Sequence, residues 1–202
     1  GNVSLYNESN GANIDPTPVV GLVGVTDEIT SSPPGMGLVD GHRIIVLGPT
    51  GGGLGGSQWA RAQGATGGVL PELDTDMHLR VAEATRKLVS GGVVSAVHDV
   101  AAGGLGLAIA EMAVRGGVGV LAARVADHDA LFNEAPSRVV LCVPPENMQI
   151  VENTAASLGV PVTRLGLAGG DTISFKGLVE GSLAEATTMF TGRLPNAMGS
   201  NG

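Results

Sequence analysis

The stretch from Pro71 to Gly92, "PELDTDMHLRVAEATRKLVSGG", decides how the rest of the chain is interpreted. Its apolar residues recur at helical spacing, which predicts an amphipathic helix with one buried face. Asp74 can cap the start of this helix, and the glycine pair 91–92 can end it. The residues on the predicted buried face are Met77, Val81, Ala84 and Leu88.

Helices and strands alternate after this helix, whereas β-branched runs and glycine-rich connections precede it. Ser182 and Glu185 have the spacing of a capping box and predict one more helix near the end, and the closing "PNAMGSNG" is expected to fray. The predicted strands are "TPVVGLVGVT", "HRIIVLG", "VVSAVHDV", "GVLAARV", "RVVLCVP", "VPVTRLGLA" and "DTISFKG", and the other predicted helices are "GGLGLAIAEMAVRGG" and "PENMQIVENTAASLG". We therefore expect a mixed α+β or α/β fold, in which residues 1–72 are part of a β-rich domain and residues 73–202 form a complete α/β domain.

Composition excludes several classes of protein. The chain has 202 residues, 43% of them apolar, which is enough for a packed core. Its formal net charge of −8 argues against nucleic acid as a partner, because phosphate-backbone binding needs basic patches. No apolar run is long enough to suggest a membrane span, and Cys142, the one cysteine, lies in an apolar run typical of a buried side chain. A cytoplasmic protein is expected.

A glycine-rich segment, "GPTGGGLGG", follows the predicted strand "HRIIVLG". Its glycines satisfy the G-x-G-x-x-G pattern of dinucleotide-binding proteins, but so many glycines make a chance match easy. No second strand ending in an acidic residue follows at the required distance, and no phosphate-loop lysine is present. A flexible loop is therefore the favoured interpretation, and a nicotinamide-dependent oxidoreductase would rest on this pattern alone.

The segment "HDVAAGGLGLAIAEMA", starting at His98, predicts a strand, a turn of small residues and a helix. The helix would begin near Gly103 and Gly104, and its free N–H groups suit an anion. Asp99 could be an oxygen ligand for Mg²⁺, and His98 could donate to a phosphate. Alternatively, Asp99 caps the turn and the glycines allow close packing of helix on strand. The residue types leave both interpretations open.

Arg138 follows an acidic residue in "LFNEAPSRVVL", just before a predicted core strand. Its planar guanidinium could bind a phosphate in a bidentate manner. A surface ion pair with Glu134 is the simpler interpretation and is favoured.

The first residues, "GNVSLYNE", show strand-like alternation with most polar side chains on one face. Asn2 offers a neutral oxygen of the kind that completes Mg²⁺ coordination, and Ser4 can donate to a substrate oxygen from the same face. Gly1 would let a nucleotide approach the backbone. The alternative is an edge strand with one hydrated face, and spacing does not decide between them.

These motifs together resemble one family. "GNVSLYNE", "PTPVVGLVG", "LGGS", "HDVAAGGLGLAIAEMA" and "FNEAPSR" occur in this order in the C-terminal part of the large, synthetase subunit of phosphoribosylformylglycinamidine synthases, which belong to the aminoimidazole ribonucleotide synthetase-like superfamily. The resemblance runs over essentially the whole chain and implies a fragment of a longer synthetase. It implies that residues 1–72 end the second β-rich, ATP-binding-type domain and that residues 73–202 are the second α/β domain.

The resemblance implies an ATP-dependent carbon–nitrogen ligase of purine biosynthesis. ATP would phosphorylate the carbonyl oxygen of formylglycinamide ribonucleotide, and ammonia from glutamine would then displace phosphate to give the amidine. By motif, Gly1 corresponds to an ATP contact, Asn2 to a Mg²⁺ ligand and Ser4 to a substrate contact. The catalytic histidine of the family corresponds to no residue in this sequence, so no catalytic residue is assigned and the fragment alone should be inactive.

The second α/β domain of the family suggests an auxiliary phosphate or metal site at His98, Asp99, Gly103, Gly104 and Arg138. Ala135 and Pro136 replace side chains that grip the substrate in the first half of the family. The implied partners are the rest of the synthetase chain and a glutaminase subunit, with room for a small accessory subunit. The alternative function is a non-catalytic module that holds an auxiliary nucleotide or docks the glutaminase.

Overall fold

The computed structural model describes residues 8–14, 19–25, 32–65 and 67–199. It divides the chain into two compact units, Gly1–Thr30 and Ser31–Gly202. In the first unit, β1 (Glu8–Ser9) pairs antiparallel with β2 (Ala12–Asn13). Residues 19–25 form no strand, in contrast to the strand predicted from "TPVVGLVGVT". A strand needs a hydrogen-bonding neighbour, and the described part of this unit offers residues 19–25 none.

The second unit is built on a seven-stranded sheet in the order β4-β6-β3-β7-β5-β8-β9. Every neighbouring pair in this sheet is antiparallel except β5 and β8, which are parallel. The strands are β3 (Arg43–Leu47), β4 (Ala96–Asp99), β5 (Val120–Ala122), β6 (Val139–Val143), β7 (Val162–Ala168), β8 (Thr172–Phe175) and β9 (Val179–Ser182).

Six α-helices and one 3₁₀-helix accompany the sheet in the described part of the chain. The predicted caps are confirmed: the Asp74 side chain accepts from the Met77 N–H at 2.9 Å, and Ser182 accepts from the Glu185 N–H at 3.1 Å. The helices are α1 (Gln58–Ala62), α2 (Thr75–Ser90), α3 (Gly104–Gly116), α4 (His128–Phe132), the 3₁₀-helix (Pro145–Asn147), α5 (Met148–Ser157) and α6 (Leu183–Ala197). The last helix continues through Pro195 to Ala197, further than the fraying expected from residue 195 onward. None of the described helices is long and apolar enough to span a membrane.

The two faces of the sheet carry separate cores. Ile44 and Val46 of β3 pack with α3, whereas Ile45 and Leu47 pack with α2 and α5. Successive side chains of a strand point to opposite faces, so a continuous apolar run such as "IIVL" belongs to a strand covered on both sides. Cys142 is fully buried in the first core, as its apolar neighbours predicted.

The fold is mixed α+β. Helices and strands alternate along the chain, as in parallel α/β proteins, but the neighbouring strands of the sheet are mostly antiparallel. β3 and β4, the two strands that flank α2, are parallel to each other, but β6 is inserted between them and is antiparallel to both. The strands that flank α5, β6 and β7, are likewise parallel with β3 between them. The two strand–helix–strand units are therefore interleaved, because each contributes a strand that lies between the two strands of the other. No local sequence pattern predicts this arrangement.

The division of the chain differs from the boundary placed at residues 72/73. β3 pairs with both β6 and β7, which makes Arg43–Leu47 an interior strand of the sheet, the third of seven. The change in sequence pattern near Pro71 therefore marks the first long helix and not the start of the compact unit, which is Ser31–Gly202. That the upstream residues end a β-rich, ATP-binding-type domain stays a prediction.

Candidate functional site

Three loops meet at one edge of the sheet. Leu47, at the end of β3, and Asp99, at the end of β4, are both paired with Val139, the first residue of β6. The loops 48–57 and 100–103, which leave these strands, therefore lie beside the loop 133–138, which enters β6. The Val100 N–H donates to the Arg138 carbonyl at 3.1 Å and extends this contact beyond the strands. We call these three segments the three-loop edge.

The glycine-rich loop rests directly on the loop 133–138. A Cβ atom at Gly48 would overlap the Ser137 carbonyl oxygen, and one at Gly52 would overlap the Ala135 side chain. Gly48 also has φ of 104°, which L-residues rarely adopt. These glycines serve close backbone packing, which favours the interpretation of "GPTGGGLGG" as a loop over a dinucleotide site.

The Glu134 carboxylate links two segments of the three-loop edge. Its Oε1 accepts from the Gln58 N–H at 2.7 Å and from the Gly103 N–H at 2.8 Å. Gln58 is the first residue of α1 and Gly103 precedes α3, so one carboxylate satisfies donors at two helix starts. The sequence predicted a bound anion at the N-terminus of α3. In the structure the Glu134 carboxylate of the chain itself lies there.

The side chains of His98 and Asp99 approach each other, with 3.4 Å between His98 Nδ1 and Asp99 Oδ1, but they differ in exposure. The His98 ring lies 2.6 Å through Nδ1 from the Asp99 carbonyl oxygen and 3.3 Å through Nε2 from Glu111 Oε2, on α3. The Asp99 side chain is 76% exposed, whereas that of His98 is only 11% exposed. The described residues contain no group of three or more His, Cys, Asp or Glu side chains able to hold a metal ion. The ligand roles of His98 and Asp99 remain predictions.

Gly103 and Gly104 both have positive φ, 82° and 65°. A Cβ at Gly104 would lie 2.5 Å from the Asn133 carbonyl oxygen, so this residue lets α3 start directly against the loop before β6. Close packing, the structural alternative for these glycines, is therefore satisfied here. An anion at the same position would compete with Glu134.

Arg138 is buried, with 3% of its surface exposed. Its Nε donates to the Ala135 carbonyl at 3.0 Å and its Nη2 to the Asn133 carbonyl at 2.7 Å. Burial lowers the pKa of Arg138 to about 10, so the guanidinium remains charged at neutral pH. The expected surface ion pair with Glu134 is replaced by these backbone contacts. Within the described part of the chain Nη1 has no partner, and phosphate binding by Arg138 stays a prediction.

A cavity of about 310 Å³ with charged residues in its lining lies beside the three-loop edge, and the sequence analysis missed these residues. Arg124, Asp127 and Asp129 line it together with Thr50 and Leu105. Asp127 also caps α4, because its carboxylate accepts from the Ala130 N–H at 2.8 Å. In the sequence, "RVADHD" is only a group of charged residues at the end of a predicted strand. The fold places this segment next to the glycine-rich loop.

Aromatic stacking fixes one side of this region and was also missed. The Trp59 ring on α1 stacks on Phe132 of α4, with centroids 4.3 Å apart and planes inclined by 6°. The pair joins the glycine-rich loop to the loop before β6 through apolar contact. Residues this far apart in sequence give no local signal of such a contact.

Gly1, Asn2 and Ser4, predicted to contact ATP, Mg²⁺ and substrate, lie outside the described residues.

The fold and the three-loop edge can now be compared with known proteins. Residues 39–175 match the family described as AIR synthase related protein, C-terminal domain. The chain belongs to this family. The match begins just before β3 and ends with β8, so the AIR synthase related domain contains the central strand of the sheet and the three-loop edge.

Relatives of this AIR synthase related domain occur within longer proteins. The chain is 41% identical over 202 residues to phosphoribosylformylglycinamidine synthase subunit PurL of Nocardioides sp. (strain ATCC BAA-499 / JS614), covering 98% of this chain and 26% of that protein. It thus spans about a quarter of the length of that relative.

Solved structures share the fold at low sequence identity. Thermotoga maritima PurL complexed with FGAR is similar with a TM-score of 0.63 and 15% identity, covering 77% of this chain and 29% of that chain. The same protein complexed with ATP gives a TM-score of 0.61 and 15% identity, covering 77% and 27%.

Proposed function

We propose that this chain is part of an ATP-dependent phosphoribosylformylglycinamidine synthase, a carbon–nitrogen ligase of purine biosynthesis. The observation that carries the proposal is the 41% identity to a PurL subunit over 98% of the chain. The order of the five motifs from "GNVSLYNE" to "FNEAPSR" supports it. The activity belongs to the longer protein, and the 202-residue chain alone is expected to be inactive.

The proposed substrates are formylglycinamide ribonucleotide, ATP and ammonia derived from glutamine. The carbonyl oxygen of the amide attacks the γ-phosphorus of ATP and releases ADP. Ammonia then adds to the activated carbon and phosphate leaves, which gives the amidine. Catalysis of this kind depends mainly on positioning and on neutralising phosphate charge.

The proposed contribution of this chain is one wall of the active site at its first residues. Asn2 would ligate Mg²⁺, Gly1 would contact ATP and Ser4 would contact the substrate. Mg²⁺ would neutralise phosphate charge there, and no step is assigned to Asp99, since its surroundings in the described structure lack a ligand cluster. The proposed partners are the rest of the synthetase and a glutaminase subunit, with room for a small accessory subunit, in the cytoplasm.

ADP release by the full-length synthetase tests the proposal. Formylglycinamide ribonucleotide and ammonium are the substrates, and Asn2→Ala is compared with wild type. Asn7→Ala is the matched control, because the alternation of this stretch predicts Asn7 on the face opposite to Asn2. We expect substrate-dependent release that Asn2→Ala abolishes and Asn7→Ala retains. Release unaffected by Asn2→Ala would refute the site, and no release by wild type would refute the ligase.

A second candidate function concerns the auxiliary site at His98, Asp99, Gly103, Gly104 and Arg138. The Gly103 N–H group already donates to Glu134. This contact favours a non-catalytic role for the domain, in holding the assembly or docking the glutaminase, over nucleotide binding. The ultraviolet spectrum of the purified full-length protein discriminates between the two. Bound adenine nucleotide would raise the absorbance at about 260 nm, and a purely structural domain would lack this excess.

A further inference from the structure

The cavity of about 310 Å³ beside the three-loop edge reaches down to the packed interior of the domain. Leu105 and Leu165, which line it, belong to the first core and are each 2% exposed. Val125, also in the lining, packs against the same core. Because core side chains are close-packed, the apolar part of the cavity has a fixed shape.

Three charged residues line this cavity without neutralising one another. Arg124 follows β5, and Asp127 and Asp129 lie at the start of α4. In the part of the chain that the structure describes, no ion pair joins Arg124 to either aspartate. Acidic residues stabilise the start of a helix, which explains the two aspartates but not the arginine beside them. The cavity therefore offers charges of both signs to a ligand.

The signs of these charges decide which class of ligand fits. A phosphate ester would meet two carboxylates and one guanidinium, so repulsion would prevail. A metal cation would be repelled by the guanidinium, and the described residues contain no group of three or more metal-ligating side chains. A zwitterion suits both signs, because its carboxylate can pair with the arginine and its ammonium group with an aspartate.

The size of the cavity indicates a small molecule and not a segment of protein, whether from the rest of a longer synthetase or from another chain. Small-molecule sites are concave and start at about 300 Å³, whereas a stable protein contact covers a broad surface of about 800 Å² on each partner. The cavity, at about 310 Å³, lies at the lower end of the small-molecule range. A zwitterion with a short apolar side chain would place that side chain against Leu105 and Leu165.

We propose that this cavity binds a free α-amino acid with an aliphatic side chain. Arg124 pairs with the carboxylate of the amino acid, and Asp127 and Asp129 receive its ammonium group. The aliphatic side chain lies on the core residues Leu105 and Leu165. The proposal concerns a binding site alone and does not depend on the ligase activity proposed above.

Isothermal titration calorimetry of the full-length synthetase with L-leucine tests the proposal. We expect saturable binding with a Kd of about 1 mM or tighter, since exposed charges contribute modestly. 4-Methylpentanoate lacks the ammonium group of leucine and 3-methylbutylamine lacks its carboxylate, so each should bind at least about tenfold more weakly. Wild type that does not bind L-leucine at about 10 mM, or that binds either analogue equally well, would overturn the proposal.

Variants of the lining residues locate the bound amino acid. Arg124→Gln removes the partner of the carboxylate and Asp129→Asn a partner of the ammonium group, so each should raise the Kd for L-leucine about fivefold or more. Asp127→Asn should also weaken binding, while it keeps an oxygen that can accept from the Ala130 N–H and so preserves the start of α4. Arg193→Gln is the matched control, because it removes the same charge from α6, away from the cavity. Unchanged affinity in Arg124→Gln, or equal weakening in Arg193→Gln, would refute this cavity as the site.

Combining the protein and ligand changes distinguishes direct pairing from an effect on folding. In Arg124→Gln the carboxylate has no partner left, so L-leucine and 3-methylbutylamine should bind about equally well. Asp129→Asn should still prefer L-leucine, because its arginine is intact. An Arg124→Gln protein that retains the full preference of wild type for L-leucine would show that the guanidinium does not contact the carboxylate, and it would overturn the proposal.

Discussion

Glu134 is the residue on which the three-loop edge depends most. Glu134→Ala removes the acceptor shared by the Gln58 and Gly103 N–H groups and should lower the free energy of unfolding by about 1–3 kcal/mol. Glu134→Gln keeps an oxygen in the same place without the charge and should cost less than half as much. Urea unfolding of the three proteins measures both values. Equal losses in the two variants would mean that the charge of Glu134, and not the neutral acceptor oxygen that glutamine retains, stabilises the fold.

Arg138 contributes hydrogen bonds at the cost of a buried charge. Arg138→Met leaves the Asn133 and Ala135 carbonyls without donors and should destabilise the protein by about 1–3 kcal/mol near pH 7. Burial lowers the pKa of Arg138 in the folded state to about 10, below its ordinary value. Between the folded and the unfolded pKa the unfolded chain binds more protons, so the stability of wild type should rise relative to Arg138→Met as pH increases.

Unfolding free energies of wild type and Arg138→Met, measured at several pH values, check the sign of this effect. The difference between the two proteins should be constant from about pH 6 to 9, because Arg138 is protonated in both states there. Above about pH 10 the difference should grow in favour of wild type. A difference that shrinks above that pH would show that burial does not lower the pKa of this residue.

At the scale of single elements, the long helices could be predicted and the short ones could not. α2 and α6 carry cap residues whose side chains accept the expected hydrogen bonds, and a helical apolar period follows each cap. α1 and α4 have five residues each, too few to show a period, and they are held by the Trp59–Phe132 stack. The positions of β3 to β8 followed from β-branched runs, whereas β9 was missed and the strand predicted over residues 19–25 does not form. The insertion of β6 between β3 and β4 has no local signal.

Two glycines at the ends of α3 show whether backbone conformation or close packing requires glycine there. Gly104 and Gly117 flank the same helix with similar φ values, 65° and 63°. A Cβ at Gly117 meets no atom within 4 Å, whereas one at Gly104 meets two carbonyl oxygens. Gly117→Ala should therefore cost about 1–2 kcal/mol from backbone strain alone, and Gly104→Ala clearly more, about 3–5 kcal/mol. Equal costs in urea unfolding would show that the loop before β6 can move away from α3.

At the scale of the whole molecule, the candidate site could be predicted only in parts. His98, Asp99 and Gly103 lie close in sequence to one strand end and were proposed as site residues from their residue types. The cavity residues Arg124 and Asp127 approach the glycine-rich loop only because the strands are ordered as they are. Charge pattern alone could not distinguish a surface Arg138 from a buried one, because burial depends on how the loop 133–138 packs under the glycine-rich loop.

Truncation tests where the folded unit begins. The chain shortened to residues 31–202 retains all seven strands, so it should unfold cooperatively with a Tm close to that of the whole chain. The chain shortened to residues 73–202 lacks β3, which leaves β6 and β7 without their shared neighbour and exposes both cores along the middle of the sheet. We expect this shorter form to be unfolded or aggregated, as measured by circular dichroism and sedimentation. A cooperative transition in the shorter form would show that residues 73–202 fold without β3, and it would restore the boundary that the sequence pattern near Pro71 suggested.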